Sequence, residues 1–255
     1  MTALTPAARP IGRRLWNVMR LHAANPFTLF VTPLLVLASI FAINWMIWWM
    51  VRSGSPTDAQ SIDDVSTGFQ FSGASLWIFF YMMVVAIMAM NLSFSFALGF
   101  GSTRRDFLLG TGLTFLALSA GYALVYILLA LLEQATGGWG LGGAMFNSFY
   151  FGLDLPWWQR LFNVFALFAF FFGLGSTFGA MYVRWRARGL TLFFIVSALV
   201  LVGALALITL SESWPAVAAF FVALGFTGTY ALGLGIGVVA GVAAYGILRK
   251  ATPRS

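Results

Sequence analysis

The charged residues of this chain lie between or at the edges of long apolar stretches, and the sign of the charge alternates from one gap to the next. The basic gaps contain Arg13, Arg14 and Arg20, then Arg104 and Arg105, then Arg184, Arg186 and Arg188, and finally Arg249, Lys250 and Arg254. The acidic gaps contain Asp58, Asp63 and Asp64, then Glu133 and Asp154, and then Glu212. Loops rich in Arg and Lys stay in the cytoplasm. The alternation therefore predicts an even number of membrane crossings, with both termini cytoplasmic.

The composition independently indicates a membrane protein. Apolar residues make up 61% of the chain, charged residues only 8%, and the mean hydropathy is +0.92, whereas about a quarter of the residues in a soluble domain are charged. The net charge of +7 does not indicate nucleic acid binding, because the basic residues lie at span ends, where topology and anionic headgroups account for them. The chain contains no cysteine, which excludes disulfides and thiolate metal sites.

Six stretches are long enough to cross a hydrocarbon core of about 30 Å, which takes about 20 apolar residues in a helix. We expect an all-α integral membrane protein that forms a single transmembrane domain over residues 1–255. Its predicted spans lie near residues 28–51, 75–100, 107–132, 158–183, 189–210 and 229–248. Tryptophans near the outer ends of the first and fourth spans are typical of an interfacial aromatic belt.

Two further elements are predicted outside these spans. Residues 11–23 form an amphipathic pattern with arginines on one face, which is typical of a helix that lies in the membrane interface. Residues 213–226 form an apolar piece too short to span, with Ser213 as a possible N-cap, Pro215 in the first turn and a break at Gly225 to Gly228. This pattern predicts a short re-entrant outer helix before the last span.

The sequence lacks the residues that intramembrane chemistry needs. His22, the sole histidine, falls outside the spans, and a headgroup-level role is favoured over catalysis. A P-loop needs a lysine after its glycines, yet the sole lysine is Lys250, at the tail. We therefore expect no enzyme and no cofactor bound by this chain, so that any ATP and Mg²⁺ would be held by a partner.

Coupling to an ion gradient is also disfavoured. No predicted span has Asp, Glu, Lys, Arg or His in its middle, although ion-coupled carriers use such groups to bind and release the ion. A sodium site built from carbonyl groups alone stays open as an alternative.

The second cytoplasmic gap combines turn glycines, a capping hydroxyl, a double arginine and an aromatic residue within Gly99–Thr111. This combination suits a short surface helix over residues 101–107 that contacts a partner. An ordinary basic turn between two spans is the competing interpretation.

A resemblance favours the first interpretation. The stretch Ala97–Phe107 resembles the "LG.TRR.F" stretch of ABC-2 type permeases, the membrane subunits of one class of ABC exporters, and Arg20–Thr28 with Pro33 is similar to small actinobacterial members. Six spans, an amphipathic N-terminal helix and a re-entrant piece also match the layout of that family. The outer segment 133–155 departs from it, since it is longer and more aromatic than a plain connector.

The resemblance implies specific partners and contacts. In that family the gap after the second span is a coupling helix that docks on a separate ATP-binding subunit, and two permeases form one transporter as a homodimer or heterodimer. Carried over, the coupling contact comprises Thr103, Arg104, Arg105, Asp106 and Phe107, with Arg13, Arg14 and Arg20 of the interfacial helix nearby.

Glycine pairs at helical spacing predict close helix packing rather than a substrate groove. They are Gly175 with Gly179 and Gly237 with Gly241. Small residues at this spacing let helices approach closely in lipid.

The favoured hypothesis is a permease subunit of an ABC-2 exporter in the cytoplasmic membrane, without nucleic acid partners. Its pathway lacks fixed charge, which suits an apolar or amphipathic cargo. The alternatives are a membrane anchor or sensor for a cytoplasmic partner and, ranked last, an ion-coupled carrier.

Overall fold

The computed structural model describes residues 10–56 and 58–249, and these residues form helices and turns without a β-strand. The all-α expectation is thus confirmed for this part of the chain. Lys250 and Arg254, which contribute to the predicted cytoplasmic C-terminus, lie outside the described residues.

In the described part of the chain, seven longer helical segments follow one another. They are α1 (Ile11–Ala23), α2 (Phe27–Gly54), α3 (Ala59–Phe69), α4 (residues 74–99), α5 (Arg104–Ala135), α6 (Trp157–Leu210) and α7 (Trp214–Arg249). α2 opens with a π-helical turn over Phe27–Val31, and α4 contains another over Ala89–Ser93.

Within the described residues, five stretches are long and apolar enough to cross a membrane. They are Phe27–Gly54, Gln60–Gly99, Arg104–Ala135, Trp157–Leu210 and Trp214–Arg249. The transmembrane character expected from the composition therefore agrees with the structure. The predicted fourth and fifth spans, 158–183 and 189–210, both fall within the single stretch that forms α6.

Helix α6 is bent back on itself at Arg186. A straight helix of its 54 residues would be about 80 Å long, far more than a bilayer core. Arg186 has φ 60° and ψ −159°, which is not helical. The rings of Phe178 and Phe193 lie 5.8 Å apart across this break. The chain therefore doubles back at Arg186, which divides α6 into residues 157–185 and 187–210.

Helix α7 breaks at the position where the sequence predicts one. Gly225 has φ 68° and ψ 178°, a conformation that glycine tolerates and other residues rarely adopt. The break separates residues 214–224 from 226–249, so the predicted piece 213–226 and the predicted span 229–248 belong to one interrupted helical stretch.

The core lies between α4, α5, the first part of α6 and the last part of α7. Phe79 of α4 packs on Phe168 of α6 with ring centroids 4.5 Å apart, and Phe115 of α5 stacks on Phe172 of α6 at 4.6 Å. The start of α2 is attached to this core by two tyrosines: Tyr81 donates a hydrogen bond to the carbonyl of Thr28 at 2.9 Å, and Tyr122 donates one to the carbonyl of Leu29.

The predicted packing glycines differ in how closely a neighbouring helix approaches them. Gly175 faces the backbone of Met83 in α4, and a Cβ there would lie 2.8 Å from Ala86 Cβ; at Gly179 it would lie 2.6 Å from Met90 Cβ. Gly237 lies against Phe170 of α6. These contacts place α4, α6 and α7 at close range.

Gly241 differs from the other three, because an added Cβ would meet no atom within 4 Å. Within this chain no neighbouring helix therefore approaches Gly241, and its predicted role in helix packing stays a prediction. Gly173 is the residue that packs against Gly237, since it faces the carbonyl of Gly237 directly. Gly173 and Gly237 lie between α6 and α7, whereas Gly241 faces open space within this chain.

The second half of α6 is the least buried long helix. No side chain between residues 187 and 210 is buried, and Leu199 and Leu207 are 69% and 70% exposed. Apolar side chains exposed along a whole helix are compatible with lipid but not with water.

We expect Gly175→Ala to destabilise the bundle by about 2 kcal/mol, because the new methyl group would overlap backbone that cannot move aside. Gly241→Ala is the matched control on α7 and should leave stability within about 0.5 kcal/mol of the parent protein. The free energy of unfolding, measured by titrating SDS into mild-detergent micelles, checks both values. Equal effects of the two substitutions would contradict the packing assigned to Gly175.

Candidate functional site: the arginine-rich end of the bundle

The turn between α4 and α5 reverses the chain within a few residues. Gly101 has φ 79°, its N–H donates to the carbonyl of Leu98 at 3.0 Å, and the N–H of Ser102 donates to the carbonyl of Ala97 at 3.1 Å. This is a Schellman motif, which needs a left-handed residue after the helix end. Thr103 then caps α5, its hydroxyl oxygen accepting from the Asp106 N–H at 3.1 Å.

The predicted short helix over residues 101–107 does not form as a separate element. Residues 101–103 are turn, and Arg104 to Phe107 are the first turn of α5. The N-cap explains this difference. A threonine followed three residues later by an acidic residue is typical of a helix start, so α5 begins at Arg104. The apolar sequence that follows continues this helix without a break.

Two of the predicted contact residues face the inside of the bundle. Phe107 is 0% exposed, with its ring 5.4 Å from that of Phe94. Asp106 is 3% exposed, and its carboxylate accepts a hydrogen bond from Arg14 Nη1 at 3.0 Å. In this structure neither side chain lies on the surface that a partner would contact, because helical periodicity turns both toward α1 and α4.

The exposed aromatic residue of the turn is Phe100, which is 77% exposed. Thr103 and Arg105 are exposed beside it, and Arg104 is half-buried. The resemblance of the sequence to ABC-2 permeases implies Phe107 as the aromatic contact residue instead. The glycines at positions 99 and 101 indicate that Phe100 lies at the tip of the turn. Because connecting segments run over the protein surface, this pattern predicts that Phe100 is exposed.

Arg104 ties the turn to the end of α7. Its Nη1 donates to the carbonyl of Arg249 at 2.8 Å. A guanidinium that donates to a carbonyl forms a charge-assisted hydrogen bond, which is stronger than one between neutral groups. The turn and the C-terminal end of α7 are therefore linked although 145 residues separate them.

Helix α1 packs along the first turns of α5. Val18 is buried against Gly110, where an added Cβ would lie 2.6 Å from Val18 Cβ. His22 shares a 2.8 Å hydrogen bond with the hydroxyl of Thr111, and its ring lies 5.8 Å from that of Phe107. The predicted position of α1 in the membrane interface stays a prediction.

Arginines concentrate at this end of the bundle. Arg13 and Arg20 are exposed on α1, and the bend of α6 carries three more exposed arginines. We call this the arginine-rich end; it comprises Arg13, Arg14, Arg20, Arg104, Arg105, Arg184, Arg186, Arg188 and Arg249. Within the described part of the chain it contains one carboxylate, Asp106, which is already paired. An acidic surface would be attracted to this end.

The opposite end is organised by the buried carboxylate of Glu133, a residue that sequence analysis placed in a connector. Glu133 is 1% exposed and accepts from the N–H groups of Met145 at 2.9 Å and Asn147 at 2.7 Å, and from the indole N–H of Trp139 at 2.8 Å. The backbone of residues 139–147 therefore wraps around one carboxylate.

Arg160, which is 3% exposed, completes this cluster. It donates a hydrogen bond to the side-chain oxygen of Asn147 and a longer one, at 3.5 Å, to Gln134. A buried cation next to a buried carboxylate compensates the cost of desolvating both. The sequence offered no signal for this cluster, because the donors to Glu133 are backbone groups of a glycine-rich loop.

Comparison with known protein families, curated proteins and solved structures finds no match to this chain.

We expect the folded protein to lose stability as the pH falls from about 6.5 to 4. Burial lowers the pKa of His22 from its usual value of 6.5 to about 4. The unfolded chain therefore binds a proton in this range before the folded chain does, which favours unfolding by an amount on the order of 2 to 3 kcal/mol in full. Well above pH 6.5 the imidazole of His22 is neutral in both states and has no effect on the pH dependence of stability.

His22→Gln, which can still hydrogen-bond Thr111, should show a flatter dependence over the same range. Unfolding midpoints of both proteins in detergent between pH 7.5 and 4.5 measure the difference. Identical pH profiles would contradict the assignment of this loss to His22.

We expect Glu133→Gln to destabilise the protein by about 3 kcal/mol, since it removes the charge that compensates Arg160 and places an amide NH₂ group against N–H donors. Glu212→Gln, at an exposed position, should be nearly neutral. Limited proteolysis between residues 137 and 156 should become faster only in the first variant. Unchanged cleavage there would show that Glu133 does not hold the loop.

Proposed function

We propose that this chain is the permease subunit of an ATP-driven exporter of the ABC-2 type, with six membrane spans, both termini in the cytoplasm and a location in the cell membrane. A separate ATP-binding subunit supplies the ATP hydrolysis, and a second permease, identical or not, completes the pathway. The cargo class that best suits the chain is apolar or amphipathic.

The six-span layout is supported by the bend of α6. Arg186 divides that helix into residues 157–185 and 187–210, each about 35 to 43 Å long at helical rise, which is enough to cross the hydrocarbon core. The break at Gly225 likewise leaves residues 214–224 too short to span. Counting the two parts of α6 separately gives six crossings and returns the chain to the side on which it started.

The observation that carries the coupling proposal is the connectivity of the α4–α5 turn. Its tip presents Phe100 and Arg105, while two residues of the first turn of α5 are fixed to α1 by the Arg14–Asp106 pair and to α7 by the Arg104 bond. A force applied at this tip would act on four helices together. Rigid movement of packed helices is how such transitions are transmitted.

The placement of side chains narrows the proposed contact. Phe100, Thr103 and Arg105 would touch the ATP-binding subunit, because they are exposed. Asp106, Phe107 and Arg14 would act behind the contact by holding α5 on α1. Arg13 and Arg20 remain available on the exposed face of α1.

The exposed second half of α6 supports the proposal of a second permease. An apolar helix with no buried side chain presents a wide face to lipid or to another copy. We infer that a permease pair uses this face, since van der Waals packing between helices is what drives association in lipid.

Replacing the tip should separate the chain from its partner. We expect the double variant Phe100→Ser and Arg105→Glu to reduce co-purified ATPase activity at least about tenfold, because it removes an apolar anchor and reverses a charge at the contact. The measurement is ATPase activity after affinity purification of the tagged chain from native membranes in mild detergent. Arg188→Glu with Phe220→Ser is the matched control, since both residues are exposed and belong to α6 and α7 rather than to the α4–α5 turn.

An intact ATPase complex after the tip change would contradict the coupling contact. Because the chain lacks cysteine, a single cysteine at position 100 or 63 can also be labelled from each side of sealed vesicles. Label reaching position 100 from the exterior would overturn the proposed topology, and with it the exporter.

A further inference from the structure

An apolar groove runs along one face of α5, where α1, the start of α2 and α5 meet. It has a volume of about 420 Å³ and extends along α5 from Thr114 to Val125. Gly121 forms part of its floor, and a Cβ added there would meet no atom within 4 Å. The groove is thus open space rather than a packing seam between helices.

The length of the groove matches one leaflet of a bilayer. Eleven residues separate Thr114 from Val125, which is about 16 Å at helical rise, and half of a hydrocarbon core of about 30 Å is about 15 Å. The groove begins beside α1, toward the arginine-rich end, and runs toward the middle of the bundle. An extended acyl chain of one leaflet would lie along it.

Among the polar groups of the groove, the hydroxyl hydrogens are already used within the protein, whereas the guanidinium of Arg20 can bind an anion. The hydroxyl of Thr114 donates to the carbonyl of Gly110 at 2.8 Å, and that of Tyr122 donates to the carbonyl of Leu29. Arg20 is the one charged residue of the lining, it is exposed, and within the described part of the chain it has no carboxylate partner. Trp16, beside it on α1, is 57% exposed, as is typical of a side chain at headgroup level.

We propose that this groove binds one anionic phospholipid, with an acyl chain along α5 between Thr114 and Val125 and the phosphate group at Arg20. The apolar floor accepts the chain, and the guanidinium selects a negatively charged headgroup, since arginine binds phosphate through several N–H donors in one plane. The site depends on the membrane location of the protein but not on the proposed export function.

Native mass spectrometry of the full chain, released from detergent micelles, tests the site. Phosphatidylglycerol and phosphatidylcholine with the same acyl chains are titrated separately. We expect phosphatidylglycerol to bind more tightly. Arg20→Gln should weaken phosphatidylglycerol binding about fivefold, the contribution of one arginine near a membrane surface, and leave phosphatidylcholine unchanged. Gly121→Phe, which fills the groove, should weaken both lipids.

Two matched controls separate this site from general effects. Arg13→Gln removes another exposed arginine of α1, and Gly112→Phe introduces the same bulk on α5 at a position that lines a different groove, next to α7. Both should bind lipid as the parent protein does. If Gly121→Phe fails to fold, the comparison of Arg20→Gln with Arg13→Gln decides.

Three results would overturn the proposal. Equal affinity for the two lipids, or equal effects of Arg20→Gln and Arg13→Gln, would show that no headgroup site exists at Arg20. Parent-like lipid binding by folded Gly121→Phe would show that the acyl chain lies elsewhere. A lipid-free dimer that Gly121→Phe converts to a monomer would show that a second copy of this chain occupies the groove.

Discussion

Helix α5 carries a buried carboxylate in its first turn and another in its last, and the rest of the structure is arranged around these two groups. Asp106 lies where the helix dipole favours a negative charge, and it holds α1 through Arg14. Glu133 lies where the dipole opposes it, and the opposition is offset by several N–H donors and by nearby Arg160. One helix therefore fixes both ends of the bundle. The span between them is mostly apolar and is held by side-chain packing and by a few hydrogen bonds, such as that of Tyr122 to the carbonyl of Leu29.

The helices and their breaks were largely predictable, because the bilayer leaves a chain few choices. Backbone N–H and C=O groups in hydrocarbon must form hydrogen bonds within their own segment, so each apolar run is expected to be helical. Gly225 indicates the position of the break in α7, because glycine tolerates non-helical backbone angles. The bend at Arg186 was signalled only by a group of arginines between two apolar runs. The sequence could not show that both runs belong to a hairpin whose second helix has so few neighbours.

The functional residues were harder to predict because their roles depend on which way each side chain points. The Thr103 to Asp106 spacing indicates that a helix starts at Arg104. A helix start there implies that Phe107 faces inward and that Phe100 lies at the tip of the turn. No local pattern could have identified Glu133, since its partners are backbone groups of residues 139–147. Arg20 likewise became informative only once the groove beside it was seen, because a lone arginine before a span otherwise indicates topology alone.

The second half of α6 has a consequence for how the molecule can change shape. A side chain that leaves a protein neighbour for lipid exchanges one oily surface for another, so separating this helix from the bundle costs little compared with separating helices in water. The covalent link through the bend at Arg186 keeps it nearby. Of the long segments, residues 187–210 therefore have the fewest buried protein contacts to lose if the helix is displaced.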